Sequence, residues 1–155
     1  MTGICNNQDI VISALGKSVS LNDKSRPGFF DMARKGKLIT MGKGDKKTNP
    51  IYEGDLAKVC LDAISSSNSI IEAGGKHVYT RRQINEIIQQ HVAPSKKVRS
   101  IPMRLVKALL PMLKIYNKNM FDKAAFFAAV MQEDLLAPLI GEISLEEYVK
   151  MKLVK

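Results

Sequence analysis

The sequence predicts an α/β protein in which a small, mixed sheet is followed by a helical C-terminal region. Two observations predict this class. Before residue 103, short β-branched runs alternate with segments of helical period, and after it the apolar residues recur at helical spacing. With 155 residues, of which 45% are hydrophobic, the chain is long enough to bury a real core. We therefore expect a single domain spanning residues 1–155.

The first third of the chain contains three candidate strands. Residues 9–14 form a β-branched apolar run typical of a fully buried strand, and residues 17–25 are a polar linker. Residues 37–41 alternate weakly between apolar and polar side chains. The glycines of GKGDKK at 42–47 can adopt positive φ, which favours a hairpin-like turn into a strand at 48–51.

The middle of the chain predicts two helices separated by a strand. The first helix begins with Asp55 as its N-cap, and a strand at 69–73 ends in a Gly-Gly turn. Thr80 and Gln83 have the spacing of a capping box, which predicts the start of the second helix. The apolar stripe of the first helix comprises Leu56, Val59, Cys60, Ala63 and Ile64. The buried side of the second comprises Ile84, Ile87, Ile88 and His91.

The C-terminal part is predicted to be helical after one short strand at 98–101. Helices are expected at 103–116 and 121–135, and a second capping box, Ser144 with Glu147, begins a terminal helix. The broad apolar side of the helix at 103–116 comprises Leu105, Leu109, Met112, Val106, Leu110 and Leu113. The inward side of the terminal helix comprises Leu145, Tyr148 and Val149.

The charge and cysteine content narrow the class of protein. A net charge of +9 attracts phosphates, but the basic stretch at 34–47 has no interleaved aromatic side chains and no zinc-finger or helix-turn-helix pattern. We therefore expect a solvated basic face and no specific nucleic-acid partner. Two cysteines without a signal peptide predict a cytoplasmic protein. The longest apolar run, at 124–131, is too short for a transmembrane segment.

Most of the chain resembles a known family in two blocks. The motifs RPGFF at 26–30, NPI at 49–51 and DLA at 55–57, with the Gly-rich basic turn between them, look like the NmrA-like, atypical short-chain dehydrogenase-reductase family. Residues 1–16 are similar to the fourth strand of that family and the turn after it. Residues 69–91 and the terminal SLEEYVK are also similar to the family.

The resemblance implies an incomplete Rossmann-like (NAD(P)-binding) fold. In the family, the interval between the two blocks holds a helix, two strands and the catalytic Tyr and Lys, which the linker at 17–25 cannot replace. We expect residues 1–16 to be a remnant of the cofactor-side strand and residues 26–155 to be the C-terminal half of the fold, in a truncated family member. The sequence contains no Gly-rich turn of the kind that grips a pyrophosphate at a helix N-terminus.

The resemblance also implies one wall of a site for NAD or NADP. The residues expected beside the adenosine and ribose are Ser13, Ala14, Leu15 and Gly16. The residues expected to border the nicotinamide and the substrate are Arg26, Pro27, Gly28, Phe29 and Phe30. Without the resemblance, the same residues predict a buried strand end and a packed pair of phenylalanines.

No residue is predicted to be catalytic or to bind a metal. Tyr148 and Lys152 have the Tyr-x-x-x-Lys spacing in which a cation can lower a phenol pKa, but they lie in the last predicted helix, away from the position that the family uses. His77 and His91 have no ligand at metal-binding spacing. The resemblance therefore predicts an NAD(P)-binding, oxidoreductase-like protein with weak or no catalysis.

Two alternative functions stay open. Strand edges at 9–14 and 69–73 that lack their neighbours would suit a non-catalytic interaction or regulatory module, which forms a homo-oligomer or binds a protein partner. The basic turn and a group of lysines in the C-terminal helices would suit peripheral binding to an anionic surface. These lysines are Lys107, Lys114 and Lys118.

Overall fold

The computed structural model describes residues 28–65 and 70–154. Within them, helices dominate, and short strands form two separate two-stranded sheets. The elements in chain order are α1 (Phe29–Arg34), β1 (Ile39–Met41), β2 (Lys47–Thr48), α2 (Glu53–Ala63), β3 (Tyr79–Thr80), α3 (Arg81–Val92), β4 (Arg99–Ile101), α4 (Met103–Tyr116), α5 (Lys118–Val130) and α6 (Leu145–Leu153). The predicted α/β class is confirmed.

The described residues form two separate sheets, one parallel and one antiparallel, so the single mixed sheet that was predicted is not observed. β1 and β4 pair in parallel, with Thr40 opposite Ser100. β2 and β3 pair antiparallel, with Thr48 opposite Tyr79. The parallel pair lies against α3.

The hairpin predicted across 37–51 is wrong, because β1 and β2 belong to different sheets. The glycines of the intervening loop do have positive φ, but the loop serves a different purpose. The carbonyls of Gly44 and Lys46 accept hydrogen bonds from the first backbone N–H groups of α3, those of Arg82 and Arg81, both at 3.0 Å. Since the first turn of a helix leaves its N–H groups without intrahelical acceptors, the loop caps α3.

The strand predicted at 69–73 is also wrong over residues 70–73, which have no strand structure. Ile70 and Ile71 are exposed. The backbone pairs only at Gly74, through an isolated parallel bridge to Leu139. An apolar run without a neighbouring strand has no ladder to join, and it stays irregular.

Both predicted capping boxes are confirmed. At the start of α3, Thr80 Oγ1 accepts the N–H of Gln83, and the Gln83 side chain accepts the N–H of Thr80. Ser144 and Glu147 form the same pair at the start of α6. These reciprocal bonds satisfy backbone donors that the helices themselves cannot, so they fix where each helix begins.

A small apolar core lies where α3 packs against α1 and α6. Its buried members are Ala33, Leu38, Ile88 and Val149. Around them pack the partly buried Phe30, Met32, Ile84, Val92, Val98, Leu145 and Tyr148. The predicted inward side of α6 is therefore confirmed. The buried side of α3 also carries Gln89, whose Nε2 donates to the carbonyls of Ala33 and Ala93, each at 3.0 Å.

α2 departs from its prediction at both its start and its apolar face. It begins at Glu53 after Tyr52, so Asp55 lies inside the first turn and is not the N-cap. The predicted apolar stripe is not buried, because Leu56 and Ile64 are exposed. The side chain of Asp55 is instead the buried group of this helix, and it bonds to a distant part of the chain.

The C-terminal helices form a hairpin in which α4 packs on α5. α4 matches its predicted bounds. The helix predicted at 121–135 begins earlier, at Lys118, because the Asn117 side chain caps it by accepting the N–H of Met120 at 3.2 Å. It ends at Val130. Among the helices that the structure describes, none is long and apolar enough to cross a membrane.

We predict that Leu38→Ala lowers the free energy of unfolding by about 2–5 kcal/mol, because it leaves a cavity in a small core. Urea denaturation followed by circular dichroism measures this change. Leu61→Ala is the matched control: Leu61 is 67% exposed, so this substitution should cost about 0.5 kcal/mol or less. Equal losses for the two variants would contradict the assigned core.

Candidate functional site

The predicted cofactor-wall residues fall partly outside the described part of the chain. Ser13, Ala14, Leu15, Gly16, Arg26 and Pro27 lie outside the described residues. Gly28, Phe29 and Phe30 lie at the start of α1, where Gly28 is the N-cap residue. The side chains of the two phenylalanines lie in different surroundings. Phe29 lines one cavity, and Phe30 packs on an aromatic cluster beside another.

The cavity beside Phe29 has a volume of about 210 Å³ and a mainly apolar lining. It lies between α1, the parallel strands, α3 and α5. Its lining comprises Phe29, Ile39, Thr40, Met41, Arg81, Ile84, Asn85, Ile101, Phe127 and Met131. Both β1 and β4 contribute side chains to this lining. The parallel pair that these two strands form is therefore one wall of the cavity.

Among the described residues, Arg81 is the only charged side chain in this lining. Its Nη2 donates to the carbonyl of Val130, the last residue of α5, at 2.9 Å, and to that of Glu133, just after the helix, at 3.1 Å. Its buried Nε–H has no acceptor among the described residues. Burial lowers the pKa of Arg81, against the opposing effect of the nearby Asp134 charge. A buried donor without an acceptor costs about 1–3 kcal/mol.

Asn85 and Thr40 form the second polar feature of the cavity. The Asn85 Nδ2 donates to the Ile39 carbonyl at 3.2 Å and to Thr40 Oγ1 at 3.1 Å. Both side chains are buried. This pair ties α3 to the edge of β1, so it holds the apolar walls of the cavity at a fixed separation.

Phe30 belongs to an aromatic cluster with Tyr52 and Tyr148. Its ring lies 6.4 Å from that of Tyr148, which in turn lies 5.9 Å from that of Tyr52. Tyr52 and Tyr148 line a second cavity of about 180 Å³. Lys152 lies over the face of the Tyr148 ring, 5.3 Å from its centroid, and also pairs with Glu53 at 3.4 Å. The Tyr-x-x-x-Lys spacing therefore gives a cation–π contact on the ring face.

The second cavity is lined in part by Ile143, the last residue of a stretch without helix or strand, residues 134–143, which we call the clamped segment. It connects α5 to α6. Asn49 holds its middle: Nδ2 donates to the Ala137 carbonyl at 2.7 Å, and Oδ1 accepts the Ala137 N–H at 3.1 Å. Lys47 holds its start, because its N–H donates to Asp134 at 2.7 Å and its carbonyl accepts the Leu135 N–H at 2.9 Å.

Asp55 holds the end of the clamped segment. Its Oδ2 accepts the N–H groups of Glu142 at 2.8 Å and Ile143 at 2.9 Å, and its side chain is nearly fully buried. Lys58 lies 3.6 Å from Asp55 and 2.8 Å from Glu142. The hydrogen bond from Ile143 lowers the pKa of Asp55, with further lowering by the Glu142 N–H and the Lys58 charge and with burial opposing.

Gly74 and Gly75 let three backbone stretches meet at the clamped segment. The Gly74 N–H donates to the Pro138 carbonyl at 2.8 Å, and the Gly75 N–H donates to the Asn49 carbonyl at 2.9 Å. A Cβ on Gly74 would collide with the Asn49 side chain, and one on Gly75 would collide with the Pro50 carbonyl. The Gly-Gly pair is therefore required by close approach, and the turn predicted from it is not observed.

Tyr79 ties β3 to the start of α6. Its hydroxyl donates to Glu146 at 2.8 Å and accepts the Leu145 N–H at 3.4 Å. Burial raises the pKa of Tyr79 to about 12, and the hydrogen bond to Glu146 adds to this. A neutral phenol at physiological pH keeps its proton for this bond, so Tyr79 fixes α6 and does not transfer protons there.

The residues described around Gly28 and Phe29 suit a small ligand better than a whole dinucleotide. A Cβ on Gly28 would meet nothing closer than Asp31 Oδ2 at 3.8 Å, so the backbone there is open to approach. Common ligand pockets measure about 300–1,000 Å³, and this cavity is smaller. It has room for a single ring or a small substrate. No group of three or more His, Cys, Asp or Glu side chains suited to a metal ion occurs in residues 28–65 and 70–154.

Sequence reasoning missed Arg81 and Asn85. Both lie on α3, whose apolar positions were recognised, and Asn85 interrupts the face on which Ile84 and Ile88 lie. A polar residue at a helix position where the apolar pattern predicts burial is the sequence signal for a buried polar group of this kind. Arg81 gives no comparable signal, because its acceptors lie 49 and 52 residues away.

Asp55→Asn should lower the urea midpoint at neutral pH, since it removes the charge that Lys58 and two N–H groups stabilise. The pKa of Asp55 is lowered in the folded chain, so its ionisation contributes stability above its ordinary pKa, and this contribution is lost as the pH falls through the folded value. We therefore expect the difference from the unsubstituted chain to shrink below about pH 4. Denaturation at several pH values tests this, with the exposed Asp62→Asn as control. A difference of constant size from pH 7 to pH 3 would disprove it.

Comparison with known proteins finds no matching family model, no matching curated protein and no matching solved structure.

Proposed function

We propose that the chain corresponds to the substrate-side part of an NAD(P)-binding, oxidoreductase-like protein of the atypical short-chain dehydrogenase type, with weak or no catalysis. One observation carries this proposal. Phe29, which the resemblance to that family places beside the nicotinamide and the substrate, lines the apolar cavity. A ligand in this cavity would therefore contact one of the residues that the family resemblance implies.

The chemistry of the cavity supports a planar, mainly apolar ligand with an acceptor oxygen. Phe29 and Phe127 offer aromatic surface, and Arg81 is the charged residue of the lining. The nicotinamide ring, with its carboxamide oxygen, or a small carbonyl-bearing substrate has this combination. The lining residues are suited to orient such a group. They include no side chain that ionises near neutral pH.

Phe29→Ala should weaken the binding of NADPH and NADP⁺ roughly 2- to 10-fold, because one aromatic contact contributes about 0.5–1.5 kcal/mol. Isothermal titration calorimetry with each nucleotide measures the effect. Phe126→Ala is the matched control, since Phe126 is 72% exposed, lies on α5 and does not line the cavity. This variant should bind like the unsubstituted chain.

Two results would count against this function. An absence of heat with either nucleotide at millimolar concentration would remove cofactor binding altogether. Equal weakening by Phe29→Ala and Phe126→Ala would show that any binding is independent of the cavity. Circular dichroism of both variants ensures that the comparison is made between folded chains.

A self-associating interaction module is the second candidate, and the distribution of apolar side chains favours it. In the described part of the chain, only six hydrophobic residues are buried, whereas more than twenty large ones are exposed. Exposed apolar side chains that lie together on one surface are typical of interaction sites. The strand edges first considered for this role do not support it, because residues 9–14 lie outside the described residues and residues 70–73 form no strand.

Under this second candidate, the mass measured by light scattering should exceed that of a single chain and should rise with protein concentration. Apolar surface removed from water drives such association, so added salt should not abolish it. A clean monomer at every concentration up to the millimolar range would rule this candidate out.

A further inference from the structure

An apolar stripe on α4 faces away from the rest of the described structure. It consists of Leu105, Leu109, Met112 and Tyr116, which are 51%, 50%, 65% and 89% exposed. Their spacings of four, three and four residues place them on one face of the helix. At 1.5 Å per residue, the stripe is about 17 Å long.

The stripe is the uncovered part of a broader apolar face. Val106 and Leu110, on the neighbouring side of α4, are partly buried, and α4 packs on α5. α5 therefore covers one side of the apolar arc and leaves the stripe open. The stripe is therefore available to an occupant from outside the hairpin.

Either a lipid surface or a helix could cover the stripe, and the positions of the lysines on α4 distinguish between these two. At 100° per residue, Lys107 and Lys114 lie roughly opposite the stripe, and both are exposed. A helix that lies on an anionic membrane needs its cations near the headgroups, whereas these would point away. Two copies that meet stripe to stripe bring no like charges together, because the lysines stay on the outer sides.

The spacing of the stripe also suits a helix. A repeat of three and four residues is the pattern of a helix–helix seam, in which each apolar side chain fits between those of the facing helix. Ala108, which is exposed beside the stripe, is small enough to allow close approach. An identical stripe on a second copy has matching length and matching spacing.

We infer that the α4 stripe is an interface through which two copies of this chain associate, each placing the same face against the other. The inference rests on the second candidate function, self-association, and names its surface. One helix face about 17 Å long is at the small end of specific interfaces, so the dimer dissociates on dilution.

The test compares the double variant Leu109→Glu, Met112→Glu with the matched double variant Leu61→Glu, Ile64→Glu. The control changes two exposed apolar residues at the end of α2 in the same way, with the same change in charge. Sedimentation equilibrium of the full chain gives the dimer dissociation constant. We expect it to rise at least tenfold for the α4 variant and to stay unchanged for the α2 variant. If the glutamates prevent folding, Leu109→Ala, Met112→Ala should still raise it several-fold.

The possible results separate the inference from the function on which it rests. If the unsubstituted chain stays monomeric at every concentration, both fail. If it dimerises and the α4 variant dimerises equally well, the inference fails while self-association stands. Co-sedimentation with phosphatidylserine vesicles is measured in parallel. Vesicle binding that the α4 variant loses, by a chain that remains monomeric, would overturn the inference in favour of a lipid surface.

Discussion

Two buried polar side chains, Asn49 and Asp55, hold together parts of the chain that have no sheet or helix in common. The Asn49 amide and the Asp55 carboxylate form hydrogen bonds with backbone groups of the clamped segment, which is not part of a sheet. The side chains of this segment are mostly exposed, so these hydrogen bonds are what fix its backbone. The clamp thus fixes the course of a connection that has no helix or strand.

The remaining architecture follows from where this clamp ends. Ser144 caps α6 immediately after the last clamped residue, so the position of Asp55 determines where α6 starts. α6 then delivers Val149 to the core against α3. At the other end, the segment begins just after the carbonyls that Arg81 binds. This connection therefore helps to position the α6 side of the core and the second cavity.

The sequence predicted the features that depend on neighbours within a few residues. The two capping boxes, the position of β4 and the inward side of α6 follow from local spacing, and the structure has all of them. Pairing between distant residues was not predictable. The assignment of β1 and β2 to different sheets depends on partners 60 and about 32 residues away, and Arg81 binds carbonyls at the end of α5 and just after it. In the candidate site, Phe29 was identified by resemblance, whereas the shape of the cavity around it depends on α5.

The separation of the clamp partners along the chain has a consequence for how the molecule is made. Asn49 and Asp55 bond to residues 87 and 88 positions further on, so these contacts close very long loops. During synthesis, α3 emerges from the ribosome before α6, which completes its packing. The apolar face of α3 is then exposed to water, and a chain with such exposed apolar surface is prone to aggregation.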